Sequence, residues 1–202
     1  MSSTTVTDHD LARLIAENEY ITNCSSNSNK DLCSLSYLIN RPMSQSECIR
    51  LGIGYEKLLV EIILKNTKLM NAKTQNKKGE KEKDHLFVDT ENKIMYYAEL
   101  KANINLDTEK SKSTYNKCLD IVKELEQEYS DYEIKWCLLG FRFLNYRDIP
   151  STIQKKYTPI TNHLFGINQY LELLHVDLHF TEDRYARFLN NIADAMFCTS
   201  SS

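Results

Sequence analysis

The stretch that decides the fold is KDHLFVDTENKIMYYAELK, residues 83–101. It contains two runs rich in β-favouring side chains, at 85–89 and 93–101, and the polar residues DTEN lie between them. Two such runs joined by turn-forming residues predict an antiparallel β-hairpin.

The end of this hairpin carries a group of charged side chains. Side chains alternate across a strand, so Glu99 and Lys101 project from one face while Leu100 points into the core. Asp84 stands at the outer end of the first strand and falls near that pair in an antiparallel hairpin. We therefore expect two carboxylates and a lysine to converge at one end of a sheet.

This arrangement has a chemical use. Two neighbouring carboxylates repel each other unless a hard cation lies between them. Mg²⁺ takes oxygen ligands and retains several waters, one of which can become a nucleophile. A lysine beside the cation positions that water or stabilises charge on a phosphate. The alternative is an exposed hairpin with an ordinary Glu–Lys pair on its solvent face.

Composition restricts the class of protein only moderately. The chain has 202 residues, enough for one substantial core, and its formal net charge of −3 gives no global basic field. No apolar run is long enough to span a bilayer and no signal peptide is apparent, so we expect a cytoplasmic protein without a membrane partner. The six cysteines form no CxxC motif, which favours reduced thiols over a zinc site.

The rest of the chain shows helical and strand patterns on both sides of the hairpin. SQSE at 44–47 is a capping box that opens a helix. The other predicted elements are helices at 8–19, 32–39, 51–69, 111–129, 169–176 and 182–197, and strands at 133–143 and 163–167. This order predicts an α/β domain in which a mixed central β-sheet is flanked by helices on both sides.

We expect a single domain over residues 1–202, because no Pro/Gly/Ser linker divides the chain. Its predicted parts are a helical N-terminal part at 1–50, a core at 51–167, C-terminal helices at 168–197 and a disordered tail at 198–202.

Two basic segments flank the predicted site. Residues 65–83 include seven lysines, and the opening turns of the helix at 111–129 carry further lysines and hydroxyls. Such side chains at a helix N-terminus suit phosphate contacts, although an ordinary solvated face has the same composition.

Between 52 and 167 the residues resemble the PD-(D/E)XK nuclease superfamily, and most closely its type II restriction endonucleases. The similarity lies in Glu56 on a leading helix, Asp84 at the start of a strand and Glu99-x-Lys101 closing the next strand, followed by a helix and a buried strand. Lys83 stands where the signature has proline. Asp89 is the alternative first acid, although it lies at the turn end of the hairpin.

The resemblance implies a restriction-endonuclease-like fold and a metal-dependent activity. Asp84 and Glu99 would bind one or two Mg²⁺ ions per active site, and Glu56 would complete the outer metal shell or hold a second ion. Lys101 would orient or deprotonate the attacking water and stabilise the pentacovalent transition state. The expected reaction is site-specific hydrolysis of double-stranded DNA, which leaves 5′-phosphate ends. A homodimer and a functionally linked cognate DNA methyltransferase complete the expected restriction–modification system.

Two other functions remain open from the sequence. One is a nuclease of the same fold that acts on DNA structure in repair or recombination, and the other is a DNA-binding protein without catalysis. The candidate DNA contacts are Lys83, Asn103, Lys110, Lys112, Ser113, Thr114, Lys117, Arg142 and Arg147.

Overall fold

The computed structural model of the chain describes residues 5–22, 44–73 and 81–197. Its contacts divide the chain into two compact units, Met1–Asn66 with Asp177–Ser202, and Thr67–Val176. The predicted single domain, with boundaries at 51 and 167, stays a prediction. The helix predicted at 32–39 and the tail at 198–202 lie outside the described residues.

The described elements follow in chain order, with short 3₁₀ segments at Tyr146–Asp148 and Lys155–His163. They are α1 (Asp8–Glu17), α2 (Glu19–Thr22), α3 (Gln45–Asn66), β1 (Met70–Asn71), β2 (His85–Asp89), β3 (Ile94–Lys101), α4 (Thr108–Glu128), β4 (Glu133–Gly140), α5 (Ser151–Gln154), β5 (Leu164–Phe165), α6 (Ile167–Leu173) and α7 (Glu182–Phe197). Among the described residues, no helix combines the length and the apolarity needed to cross a membrane.

In the first unit, the predicted capping box and the predicted helix at 51–69 belong to one helix, α3. The Ser44 backbone N–H donates to the Glu47 carboxylate at 2.7 Å, and the Glu47 N–H donates to the Ser44 hydroxyl at 3.2 Å. This confirms the capping box. The helix continues to Asn66, and one apolar stripe of it, which includes Tyr55, is buried. The Tyr55 hydroxyl lies 2.9 Å from that of Tyr185 on α7.

The second unit contains a five-stranded mixed sheet in the order β1-β2-β3-β4-β5, as far as the described residues show. The pairs β1–β2 and β2–β3 are antiparallel, whereas β3–β4 and β4–β5 are parallel. The helix α4 connects the parallel strands β3 and β4, as a crossover connection requires. This confirms the predicted mixed α/β architecture and the antiparallel hairpin.

The hairpin follows the predicted boundaries closely. β2 spans His85–Asp89 as expected, and β3 begins at Ile94, one residue later than predicted. The reason is that Lys93 has a φ of 54°, a left-handed conformation that belongs to the turn and ends the extended backbone.

The two faces of the sheet pack differently within this unit. One face carries Tyr97, Leu138 and their same-face neighbours, which form an apolar core with α4 residues such as Cys118 and Ile121. On the opposite face, the His85 ring stacks on that of Tyr170 from α6, with ring centroids 5.9 Å apart. Glu99 and Lys101 follow Tyr97 along β3 on the α4 side, because residues two apart share a face.

Candidate functional site

The hairpin register places Asp84 beside the end of β3. His85 pairs with Ala98, so Asp84, one residue before β2, lies level with Glu99. The backbone N–H of Leu100 donates to Asp84 Oδ2 at 2.7 Å, and this bond holds the carboxylate at the strand end. The predicted approach of Asp84 to the Glu99–Lys101 pair is therefore present in the structure.

Asp89, the alternative first acid, lies at the other end of the hairpin. It pairs with Ile94 in the strand register and accepts hydrogen bonds from the backbone N–H and the side-chain amide of Asn92, at 2.9 and 2.7 Å. These bonds lower the pKa of Asp89 below its usual value. Asp89 therefore stabilises the turn, and only Asp84 of the two candidates lies next to Glu99.

Glu99 is the centre of the site. Its side chain is 1% exposed, so the pair with Lys101 does not lie on an ordinary solvent-exposed face. Lys101 Nζ lies 2.8 Å from Glu99 Oε1, and Lys117 Nζ lies 2.9 Å from Oε1 and 2.7 Å from Oε2. The Tyr97 hydroxyl donates to Oε2 at 3.3 Å. A buried carboxylate is thus held by two ammonium groups and one phenol.

The surroundings of Asp84 make its carboxyl group a weaker acid than usual. Its burial and the nearby Glu99 carboxylate raise the pKa of Asp84 to about 6, although the Leu100 N–H and the two lysines act in the opposite direction. For Lys101, burial favours the neutral amine, but the Glu99 and Asp84 carboxylates outweigh burial and raise its pKa. Lys101 is therefore a charged ammonium beside two acids that repel each other.

Two other polar side chains border the carboxylates without ionising. Burial raises the pKa of the Cys118 thiol to about 12, and burial also raises the pKa of the Tyr97 phenol. Both groups stay protonated at neutral pH, so neither is an available nucleophile. Two uncharged side chains therefore lie beside Glu99.

The donor set of the site fits Mg²⁺. Asp84 and Glu99 supply hard carboxylate oxygens, and their mutual repulsion would be relieved by a cation between them. In the ranges that the structure describes, no group of three or more His, Cys, Asp or Glu side chains is placed to hold a metal. Two carboxylates suffice for Mg²⁺, because this ion usually keeps several waters and also binds substrate phosphates.

The predicted role of Glu56 in the metal shell stays a prediction. Glu56 belongs to α3 in the first unit, whereas Asp84, Glu99 and Lys101 belong to the second unit.

The candidate DNA contacts lie in several environments. Thr114 donates its hydroxyl to the Lys110 backbone oxygen at 2.9 Å, and Lys110 Nζ lies 3.3 Å from the Asp107 carboxylate. Lys83, which precedes Asp84 in the sequence, is partly buried. The exposed candidates are Asn103, Lys110, Lys112, Ser113, Arg142 and Arg147.

Lys117 lies beside the carboxylates. The structure directs its ammonium group onto Glu99, and its predicted contact with DNA phosphates stays a prediction. No local pattern links Lys117 to the carboxylates, because 18 residues separate it from Glu99 in the sequence. The available signal is its position one residue before Cys118, on the helix that covers this face of the sheet.

Comparisons with known proteins identify no relative. No protein-family model matches the chain, and neither the curated proteins nor the solved structures contain a match. The chemistry of the site is therefore the feature that bears on function.

Proposed function

We propose that this protein is a Mg²⁺-dependent nuclease that hydrolyses phosphodiester bonds of double-stranded DNA. The observation that carries the proposal is the convergence of Asp84, Glu99 and Lys101 at one end of the β2–β3 hairpin, with Glu99 buried. Asp84 lies beside the buried Glu99 with its pKa raised to about 6, and a carboxylate perturbed in this way is typical of a functional site.

Asp84 and Glu99 would hold the cation, since they are the carboxylates that converge at this strand end. When bound, Mg²⁺ would supply Lewis-acid stabilisation of the phosphate and a water of lowered pKa. The Leu100 N–H fixes one oxygen of Asp84 and leaves the rest of that carboxylate for a ligand. The Tyr97 hydroxyl orients Glu99 from the core side.

Lys101 would provide a positive charge that stabilises the phosphate during hydrolysis. Its ammonium group stays protonated because of the two carboxylates, so it acts as a hydrogen-bond donor and not as a base. In this role it orients the attacking water and stabilises the additional negative charge on the phosphorus oxygens. Water adds to phosphorus as the bond to the 3′ oxygen breaks, which leaves a 5′-phosphate and a 3′-hydroxyl.

Exposed polar side chains on α4 support a DNA substrate in a chain whose net charge is −3. Lys112 and Ser113 are exposed in its opening turns, in the same unit as the carboxylates. Ammonium groups and hydroxyls contact phosphates without regard to base sequence. They would therefore position a duplex at the site, and base recognition would require other side chains.

The kind of nuclease that we propose is a type II restriction endonuclease. Such an enzyme would act as a homodimer on a palindromic site and would be paired with a DNA methyltransferase that protects the host. A structure-specific repair nuclease of the same fold would use the same carboxylates and lysine. The two activities differ in the substrate cut, which an experiment can separate.

The test is digestion of a large unmethylated DNA in the presence of Mg²⁺. The wild type is compared with Glu99→Ala and Lys101→Ala, which remove the central acid and the ammonium donor. Glu91→Ala and Lys123→Ala are matched controls, because both side chains are exposed in the same unit and lie outside the two basic segments.

A restriction enzyme gives a reproducible ladder of fragments, which both site variants abolish and both control variants retain. Cutting confined to forks or flaps identifies the structure-specific nuclease. DNA binding by the folded wild type, with no cleavage of any substrate, refutes the nuclease proposal and supports a non-catalytic DNA-binding protein.

A further inference from the structure

The Lys117 ammonium group contacts both carboxylate oxygens of Glu99. Its Nζ lies 2.9 and 2.7 Å from Oε1 and Oε2, whereas Lys101 is within 2.8 Å of Oε1. The two lysines are therefore not equivalent. Lys117 holds the carboxylate through both oxygens, and Lys101 approaches it from one side.

The charges of the site balance without a metal ion. Asp84 and Glu99 carry two negative charges when ionised, and Lys101 and Lys117 carry two positive charges. A divalent cation that entered with both ammonium groups in place would leave an excess charge of +2 around the buried Glu99 carboxylate. Such an excess is unfavourable beside a buried group, so we expect one ammonium group to withdraw.

Lys117 is the lysine that can withdraw toward a substrate. It extends from α4 on a flexible four-carbon stem, and its side chain is 29% exposed, which leaves a route to solvent. Ser113 lies four residues earlier in the helix, on the same side, and is exposed. An ammonium group released from Glu99 would lie near a hydroxyl suited to phosphate.

We propose that the Lys117 ammonium group is an exchangeable counterion of Glu99. A divalent cation displaces this ammonium group from Glu99, and the ammonium group then binds a substrate phosphate. Displacement of Lys117 by the divalent cation does not depend on the presence of a substrate. The binding of Lys117 to a phosphate rests on the nuclease function proposed above. The exchange makes metal and phosphate binding cooperative, because each ligand stabilises the arrangement that the other requires. It also weakens metal binding when no nucleic acid is present.

The experiment measures Mg²⁺ binding by calorimetry on the intact protein, without DNA. Lys117→Met keeps much of the apolar stem and removes the competing charge, so we expect it to bind Mg²⁺ at least about tenfold more tightly than the wild type. Lys123→Met is the matched control, since Lys123 is exposed on the same helix, and it should bind as the wild type does. Glu99→Gln should abolish binding in both backgrounds.

A second measurement uses the wild type alone and does not depend on how a variant folds. Limited acylation followed by mass spectrometry reports the reactivity of each lysine amine. Mg²⁺ should increase the reactivity of Lys117 at least about twofold, because the amine leaves a tight ion pair, and should not change that of Lys123. Unchanged Lys117 reactivity at saturating Mg²⁺ would overturn the exchange.

The outcomes separate this inference from the proposed function. If Mg²⁺ binds through Glu99 and Lys117→Met binds it no more tightly, the exchange is wrong and the nuclease proposal stands. If neither the wild type nor Lys117→Met binds Mg²⁺, both the exchange and the metal-dependent nuclease are refuted.

Discussion

Replacing Asp84 with Asn is expected to stabilise the protein at neutral pH. The side chain is mostly buried, and burial together with Glu99 raises its pKa from 3.8 to about 6. A raised acid pKa means that the folded state binds the proton more tightly than the unfolded state. Ionisation of Asp84 therefore destabilises the fold, in contrast to the usual surface carboxylate.

The magnitude follows from the size of the shift. A change from 3.8 to about 6 is about two pKa units, and each unit corresponds to about 1.4 kcal/mol, so the full effect is about 3 kcal/mol. The wild type should lose this stability as the pH rises from about 4 to about 6 and should lose no more above that range. Asp84→Asn lacks the titration and keeps an oxygen that accepts from the Leu100 N–H.

The assay is urea unfolding at matched ionic strength, without divalent cations, followed by the fluorescence of Trp136. This residue is the only tryptophan, and it is buried on β4 in the same unit. The free energies of unfolding of the two proteins should be similar near pH 4, and the variant should be more stable by up to about 3 kcal/mol at pH 7.5.

The control for this prediction is Asp89→Asn. Hydrogen bonds from Asn92 lower the pKa of Asp89, so its ionisation stabilises the folded state, and the variant should lose stability above pH 4. A difference between Asp84→Asn and the wild type that does not change with pH would refute the electrostatic reasoning. So would an Asp84→Asn protein less stable than the wild type at pH 7.5.

The remaining predictions concern stability at the site and at one tight backbone contact. Glu99→Gln should lower the free energy of unfolding by roughly 2–4 kcal/mol, because two neighbouring ammonium groups lose their buried partner; unchanged urea unfolding would contradict this. Gly166→Ala should lower it by about 1–3 kcal/mol, because the new Cβ would meet the Asn145 backbone nitrogen at 2.5 Å. Gly140→Ala should lower it less, since its nearest obstacle is the movable end of the Ile104 side chain, and equal losses in urea unfolding would refute this reasoning.

Local patterns were sufficient to predict the hairpin and its charged end. The alternation of side chains along β3 places Glu99 and Lys101 on one face whatever covers that face. The turn residues determine which strand ends meet, so Asp84 reaches Glu99 in any antiparallel pairing with this register. The capping box at Ser44 was readable for the same reason, since its two hydrogen bonds span only three residues.

The burial of Glu99 and its second lysine were decided by tertiary structure alone. Lys117 and Cys118 reach Glu99 because α4 packs across the sheet with one particular side facing β3. Sequence periodicity shows that α4 has an apolar side, but it does not show which polar residue at the border of that side meets a given strand residue. That depends on the position and rotation of the helix on the sheet, which the packing of the whole core determines.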